Sequence, residues 1–183
     1  MSRLNHVEIA DAQGETKELL ETIQKQFGMV PNFMKVFANS PATLAGFLGL
    51  NSNLQRGELD AGTRERIALA LAEENGCQYC VSAHTALGKQ AGLDETQMLS
   101  ARMGGTSEDK SDAAVKFARA VLDNSGDVTT SELQAVRDAG FSEGEVVEII
   151  GLVGLNTLTN FFAKAARIDI DFPEVQLLSA SPA

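Results

Sequence analysis

The residues that could carry out redox chemistry lie in one short stretch of the chain. Its two cysteines, Cys77 and Cys80, are three positions apart, and His84 follows four positions after the second cysteine. Glu65 lies twelve positions before the first cysteine. Two thiols at this spacing can form a disulfide within one helical turn, and a histidine with a glutamate can move protons. The pattern predicts a redox-active dithiol with an acid–base pair.

The position of the cysteines favours a reactive thiolate. The Asn75-Gly76 pair is a typical helix stop, so the next helix should begin at Cys77, with Cys80 near its third position. Unpaired backbone N–H groups and the helix dipole stabilise a thiolate there. His84 should share a helix face with Cys80, and Glu65 can fold back across the turn to orient it. We expect Cys77 to be the more exposed thiol and Cys80 the more enclosed one.

These residues also have other interpretations. Glu65, both cysteines and His84 could supply four zinc ligands, although structural zinc sites more often use two separated Cys/His pairs. The cysteines could instead be core residues that happen to lie three apart. A thioredoxin site would need a strand before the C-x-x-C motif, whereas a helical pattern precedes it here. Tyr79 either lines the pocket or packs, and His6 is interpreted as a surface or interface residue.

The composition indicates an ordinary globular protein. The 183 residues are 44% hydrophobic and 22% charged, which favours a single domain over residues 1–183. The formal net charge of −10 argues against binding to nucleic acid or to anionic membranes. We find neither 18 consecutive apolar residues nor an apolar leader segment, and therefore expect a cytoplasmic protein without a membrane span.

Helical periodicity dominates the sequence, and no convincing strand is found. It predicts an all-α bundle of about eight helices, with a core at 30–167, an N-terminal arm at 1–12 and an irregular C-terminal tail at 168–183. The segments with helical patterns are 12–27, 32–39, 41–56, 64–75, 77–90, 95–103, 111–124, 129–140 and 146–167, with a polar loop at 106–110. The last helix is apolar on all faces, so it should be central or at a subunit interface. Its Asn156 and Asn160 need hydrogen-bond partners, and could cap neighbouring helices or border the site.

The E-x(11)-C-x-x-C-x-x-x-H pattern from Glu65 to His84 resembles the core of the AhpD alkylhydroperoxidases, within the carboxymuconolactone decarboxylase-like superfamily. The Val30-Pro31-Asn32-Phe33 segment and the last helix around Asn156 and Asn160 resemble its peroxidase-related subgroup. The resemblance covers most of the chain and is strongest over 30–92.

The resemblance implies an AhpD-like helical bundle that forms a homo-oligomer, a trimer or a hexamer, and acts as a thiol-dependent peroxidase. It implies that Cys80 is the peroxidatic thiolate, Cys77 the resolving thiol, and His84 with Glu65 the proton relay. It implies no bound cofactor. A dithiol reductant, such as a lipoyl group on a partner protein, would reduce the disulfide again. Tyr79 departs from the pattern, since AhpD has a histidine between the cysteines.

Two other classes of function remain open. The dithiol could be a redox sensor, in which disulfide formation changes an oligomer or partner contact. It could also belong to a disulfide oxidoreductase that acts on a partner protein. A lyase or isomerase could keep this fold and use His84 and Glu65 as acid and base. Decarboxylase members of the superfamily usually lack the dithiol, so the cysteines argue against that activity.

Overall fold

The computed structural model describes residues 1–105 and 110–178, and in this part of the chain the regular structure is entirely α-helical. The described residues form nine helices: α1 (Gly14–Phe27), α2 (Asn32–Phe37), α3 (Pro41–Gln55), α4 (Ala61–Glu74), α5 (Gln78–Gln90), α6 (Glu95–Arg102), α7 (Lys110–Asp123), α8 (Thr130–Asp138) and α9 (Glu143–Ala166). The predicted fold class is confirmed. The predicted loop at 106–110 lies outside the described residues except for its last position, which begins α7.

Short polar side chains begin most of these helices. Among the described helices, five N-caps with oxygen side chains accept a hydrogen bond from the backbone N–H three residues later: Ser40, Asp60, Asp94, Thr129 and Ser142. Such caps satisfy donors that would otherwise lack partners in the first turn. Because Asp60 is the cap of α4, that helix begins at Ala61, three residues before the predicted start. The same reasoning places the start of α9 at Glu143 rather than at Val146.

Helix α4 lies at the centre of the molecule. Residues 66–73 of this helix are all buried, and it packs against α5, α6, α7 and α9. One large apolar cluster joins α1–α3 to α5, and a second joins α7 and α8. Helices α4 and α9 contribute residues to both clusters. The two halves of the core are therefore tied together by the same two helices.

The irregular segments at either end of the helical core are held by specific contacts. In the N-terminal arm, the Val7 N–H donates to the Lys35 carbonyl at 3.1 Å, and Val7 and Ile9 pack on the first cluster. In the C-terminal segment, residues 169–178 run past α2 and α5, where Asp171 accepts from the Asn32 N–H at 2.7 Å. The rest of the predicted tail, 179–183, lies outside the described residues.

Helix α9 combines a buried face with an exposed apolar face. Ile149, Asn160 and their neighbours on one side are buried, whereas four large apolar residues are 44–67% exposed: Val147, Ile150, Leu158 and Phe161. Among the described helices, α9 is long and apolar enough to cross a membrane by length and composition, with 44% of that span buried inside the protein. This helix contains no run of 18 uninterrupted apolar residues, because Glu148 and two asparagines interrupt its apolar sequence. Its contacts with α3, α4, α7 and α8 are those of a core helix.

Candidate active site

The two cysteines open helix α5 as predicted. Gly76 adopts φ of +61°, a left-handed conformation that glycine reaches without a Cβ clash, and it reverses the chain between α4 and α5. Cys77 is the N-cap of α5, and its Sγ accepts a hydrogen bond from the Cys80 N–H at 3.3 Å. The two cysteines form a disulfide across a Cα–Cα distance of 5.3 Å. Both sulfurs thus lie in the first turn of α5, where backbone N–H groups and the helix dipole favour negative charge.

Neither sulfur lies on the outer surface. Cys77 is 1% exposed and Cys80 is 4% exposed. Cys80 lines a cavity of about 460 Å³, and of the described residues in that lining it is the only cysteine. The expectation that Cys77 is the more exposed thiol is therefore wrong. The prediction rested on the position of Cys77 at a helix start. In the structure, the first apolar cluster encloses the turn that carries Cys77, so its thiol is buried.

Glu65 and His84 form a direct pair beside the dithiol. The His84 Nδ1 and Glu65 Oε2 atoms lie 2.8 Å apart, across the α4–α5 interface, and both side chains line the same cavity as Cys80. The glutamate side chain is 21% exposed and the histidine side chain 23% exposed. When Nδ1–H donates to the carboxylate, the neutral ring leaves Nε2 as the atom that accepts a proton. The structure therefore places the predicted acid–base pair where it faces the cavity of the sulfur.

Tyr79 is a buried contact residue whose hydroxyl is occupied. Its Oη donates to Asp171 at 2.9 Å and accepts from the Phe33 N–H at 3.3 Å, and its ring packs against Phe33 and Phe172. Burial, followed by the negative charge and hydrogen bond of Asp171, raises the pKa of Tyr79 well above the ordinary value of a phenol. The phenol stays protonated and directed at the C-terminal segment, so it does not replace a histidine as a proton carrier.

The C-terminal segment is the part of the site that the sequence interpretation missed. Besides the Asp171 contact, the Val175 N–H donates to Ser82 Oγ at 3.0 Å, and Gln78 Nε2 donates to Glu174 Oε1 at 2.7 Å. Residues 169–178 therefore lie along α5, and Phe172 joins the cavity wall. The alternation of apolar and acidic residues in Ile168-Asp-Ile-Asp-Phe172 is the sequence signal for a docked, extended segment.

The side chains of the two α9 asparagines each make a hydrogen bond near the site. Asn160 Oδ1 accepts from Asn75 Nδ2 at 2.9 Å, so α9 holds the residue that ends α4 just before the cysteines. Asn156 donates to the Leu152 carbonyl at 2.9 Å and lines the cavity. His6 lies outside that lining, and its Nε2 is 3.0 Å from Ser2 Oγ.

The rest of the cavity is mostly apolar. Its aromatic and aliphatic walls come from several helices and include Phe33, Met34, Phe47, Leu87 and Leu155. No group of three or more His, Cys, Asp and Glu side chains within 1–105 and 110–178 is arranged to hold a metal ion. The chemistry available in this cavity is therefore that of a thiol, a histidine and a carboxylate beside an apolar binding space.

Part of this chain is similar in sequence to known proteins. Residues 41–124 match the profile of the carboxymuconolactone decarboxylase family. A protein named alkyl hydroperoxide reductase, from Mycobacterium tuberculosis, is 31% identical over 100 residues, which are 52% of this chain and 29% of that protein. The matched part is thus less than a third of that relative's length.

Three solved structures share the fold over almost the whole chain. An AhpD-core, peroxidase-related protein from Ralstonia eutropha superposes with a TM-score of 0.84 at 24% identity, covering 93% of this chain and 92% of that one. A peroxidase-related protein from Silicibacter gives 0.79 at 25% identity, covering 92% and 91%. The debrominase Bmp8 in complex with 2,3,4-tribromopyrrole gives 0.77 at 17% identity, covering 93% and 92%.

These similarities define the class of protein first: an all-helical chain with the AhpD-core fold and a C-x-x-C motif at a helix N-terminus. The predicted family resemblance is confirmed: residues 41–124 match the carboxymuconolactone decarboxylase family, and the fold is that of AhpD-core, peroxidase-related structures.

The environment of Tyr79 can be measured directly, because it is the only tyrosine and tryptophan is absent. We predict that the native protein shows no tyrosinate absorbance at 295 nm at pH 11, whereas the chain unfolded in guanidinium titrates at pH ~10. Because the folded-state pKa is raised, the contribution of Tyr79 to stability is complete below the unfolded pKa and is lost as pH rises above it. The Asp171→Asn variant should ionise at lower pH than the wild type. Native tyrosinate at pH 10 would contradict the assignment.

Proposed function

We propose that this protein is a thiol-dependent peroxidase that reduces an organic hydroperoxide through a dithiol–disulfide cycle. The observation that carries the proposal is that Cys80, His84 and Glu65 line one largely apolar cavity. The sulfur meets the reacting oxygen, the histidine–glutamate pair handles protons, and the apolar walls accommodate an organic group. The family and the names of two relatives support the same activity.

In the first step, the Cys80 thiolate attacks the terminal oxygen of the hydroperoxide, and the O–O bond breaks. The leaving alkoxide takes a proton and departs as an alcohol, leaving Cys80 as a sulfenic acid. In the second step, the Cys77 thiol attacks the Cys80 sulfur, the S–O bond breaks, and water leaves as the disulfide forms. The peroxide thereby gains the two electrons that the dithiol loses.

The His84–Glu65 pair fits the proton transfers of the first step. In the first step, His84 Nε2 accepts the proton of the Cys80 thiol and returns it to the alkoxide. The carboxylate of Glu65, 2.8 Å from Nδ1, holds the ring in one orientation and stabilises the imidazolium that forms. Buried Cys77 then attacks from within the same helical turn, without requiring access from solvent.

The reductant in this proposal is an external dithiol, such as a lipoyl group on a partner protein, and no cofactor is bound. Because Cys77 is enclosed and Cys80 lines the cavity, a dithiol reaching through the cavity attacks the Cys80 sulfur and releases the Cys77 thiol. A slender arm suits this route better than a broad protein surface. Hydroperoxide and reductant then use the same opening in succession.

The exposed face of α9 supports a homo-oligomer, a trimer or a hexamer. Val147, Ile150, Leu158 and Phe161 follow one another at spacings of three, eight and three residues, which places them on one side of the helix. A continuous apolar strip that remains uncovered on a monomer is typical of a subunit interface. A second copy of this chain is therefore the proposed occupant of the strip.

Two alternatives remain distinct from this proposal. A redox sensor would use the same dithiol once, with a stoichiometric oxidation and a change in oligomer size. A lyase or isomerase would use His84 and Glu65 without the cysteines. The fold alone does not choose between them, because a debrominase shares it.

The cysteines should separate these alternatives. We predict continuous loss of cumene hydroperoxide with dihydrolipoamide as reductant, no loss in Cys80→Ser, and a single turnover ending in a sulfenic acid on Cys80 in Cys77→Ser. Mass spectrometry after one equivalent of hydroperoxide locates the sulfenic acid. Its formation on Cys77 in the Cys80→Ser variant would reverse the assigned roles, and activity in the double variant would favour the lyase or isomerase.

The glutamate can be tested without removing its hydrogen bond. Glu65→Gln keeps an acceptor for His84 Nδ1–H but lacks the charge that stabilises an imidazolium, so the rate of Cys80 oxidation should fall by about 10- to 100-fold. Stopped-flow measurement of one oxidation by hydroperoxide isolates this step from reduction. Glu74→Gln is the matched control, since Glu74 is on the same helix and pairs with Arg119 on the surface. An equal loss in both variants would contradict a role for the Glu65 charge.

The oligomer should depend on the strip of α9. We predict that light scattering gives three or six times the mass of one chain, and that Val147→Asp with Phe161→Asp shifts the protein to smaller species. Leu99→Asp introduces one such charge at a 44% exposed leucine of α6 and should leave the mass unchanged, and each strip substitution is compared with it singly. A wild-type monomer at micromolar concentration would contradict the proposed interface.

A further inference from the structure

The cavity of Cys80 contains one cationic side chain that the proposed mechanism does not use. Among the described residues that line it, Arg64 is the only Lys or Arg. The side chain is half-buried at the start of α4. The rest of the lining is apolar, apart from the His84–Glu65 pair and neutral amide and hydroxyl groups. A positive charge in a mostly apolar cavity is stabilised by an anionic partner.

The guanidinium of Arg64 has capacity for a ligand. It donates from Nη1 to the Leu59 carbonyl, and a guanidinium has five N–H donors in a planar fork. Within the described chain no salt bridge is found for Arg64, and the adjacent acidic residue, Glu65, is paired with His84. Most of the fork therefore remains available to an anion that enters the cavity.

Arg64 lies farther from the α4–α5 turn than the Glu65–His84 contact does. Helices α4 and α5 run antiparallel from the turn at Gly76, and Glu65 contacts His84, which is four residues beyond Cys80. At a rise of about 1.5 Å per residue, this contact is roughly 6 Å along α5 from Cys80. Arg64 precedes Glu65 and so lies farther from the turn. A molecule that meets both Cys80 and Arg64 therefore contacts them with different groups.

We infer that Arg64 selects organic hydroperoxides that carry a carboxylate at the end remote from the peroxide group. The inference rests on the proposed function and names its substrate class: a compact apolar body with the hydroperoxide at Cys80 and the carboxylate on Arg64. A planar carboxylate matches the guanidinium fork in a bidentate arrangement. A phosphate monoester would bring a second negative charge beside Glu65, which a single arginine does not neutralise. The net charge of −10 offers an anion no long-range attraction, so the preference must come from this local contact.

The test compares cumene hydroperoxide with its para-carboxylate derivative and with the methyl ester of that derivative. Neutral dihydrolipoamide is the reductant throughout, so that only the hydroperoxide carries the variable charge. In the wild type, kcat/KM for the carboxylate should exceed that for the ester by about tenfold, as a charge-assisted hydrogen bond allows. In Arg64→Gln this preference should disappear, and Arg64→Lys should retain part of it.

The control variant is Arg56→Gln, which removes an exposed arginine that bonds to Asn53 and is outside the cavity lining. It should keep the wild-type preference. The amide introduced by Arg64→Gln can still donate to the Leu59 carbonyl, and thermal unfolding of this variant checks that the fold is retained. An equal preference in wild type and Arg64→Gln would overturn the inference.

A binding measurement separates this inference from the proposed function. Calorimetry on the oxidised protein with 4-isopropylbenzoate, which cannot react, should show binding that weakens by about tenfold in Arg64→Gln. Neutral 4-isopropylbenzyl alcohol should bind both proteins equally. If benzoate binding depends on Arg64 but no hydroperoxide is consumed, the peroxidase proposal fails and anion selection by Arg64 stands. If turnover occurs without any dependence on Arg64, the reverse holds. Tighter binding of 4-isopropylphenyl phosphate than of the benzoate would overturn the carboxylate class.

Discussion

The site depends on the reversal of the chain between α4 and α5. Gly76 makes the turn with its positive φ, and Asn75 is held on both sides by α9, through Asn160 and through Lys164, whose Nζ donates to the Asn75 carbonyl. This fixed turn sets the register of the two helices. The register brings Glu65 to His84 and leaves the dithiol at the backbone N–H groups of a helix start. A shift of one residue in either helix would rotate a functional side chain by about 100° away from the cavity.

Local signals account for what the sequence predicted well. N-cap residues, the Asn75-Gly76 stop and the C-x-x-C spacing act over three or four residues, so they fix helix starts and the position of Cys77 as a cap. The pairing of Glu65 with His84 was also within reach, since a tight turn joins their helices. The enclosure of Cys77 and the Tyr79–Asp171 contact were not, because the first depends on the packing of the apolar cluster and the second on the docking of a segment distant in sequence. The Tyr79 hydroxyl meets a partner 92 residues away, and no local pattern identifies that partner.

The cavity joins groups with opposite requirements. The dithiol needs a helix terminus, the carboxylate–histidine pair needs partial contact with water to exchange protons, and an organic substrate needs apolar walls. The structure meets all three by placing the dithiol and the pair on one hairpin of helices and taking the aromatic walls from α2, α3 and the C-terminal segment. In the proposed cycle, hydroperoxide and reductant share one opening, so each must leave before the other binds, which is the kinetic order of a substituted-enzyme mechanism.

The polar contacts of helix α9 and its exposed apolar strip lie on different faces of the helix. Asn156 borders the cavity and Asn160 holds the turn before the cysteines, while Phe161 and Val147 point to solvent. Because an α-helix bends little over 24 residues, a force on its outer side is transmitted to its inner side. Contact with a neighbouring subunit along the strip would therefore restrain the cavity wall, so that quaternary assembly and thiol chemistry become linked properties of one helix.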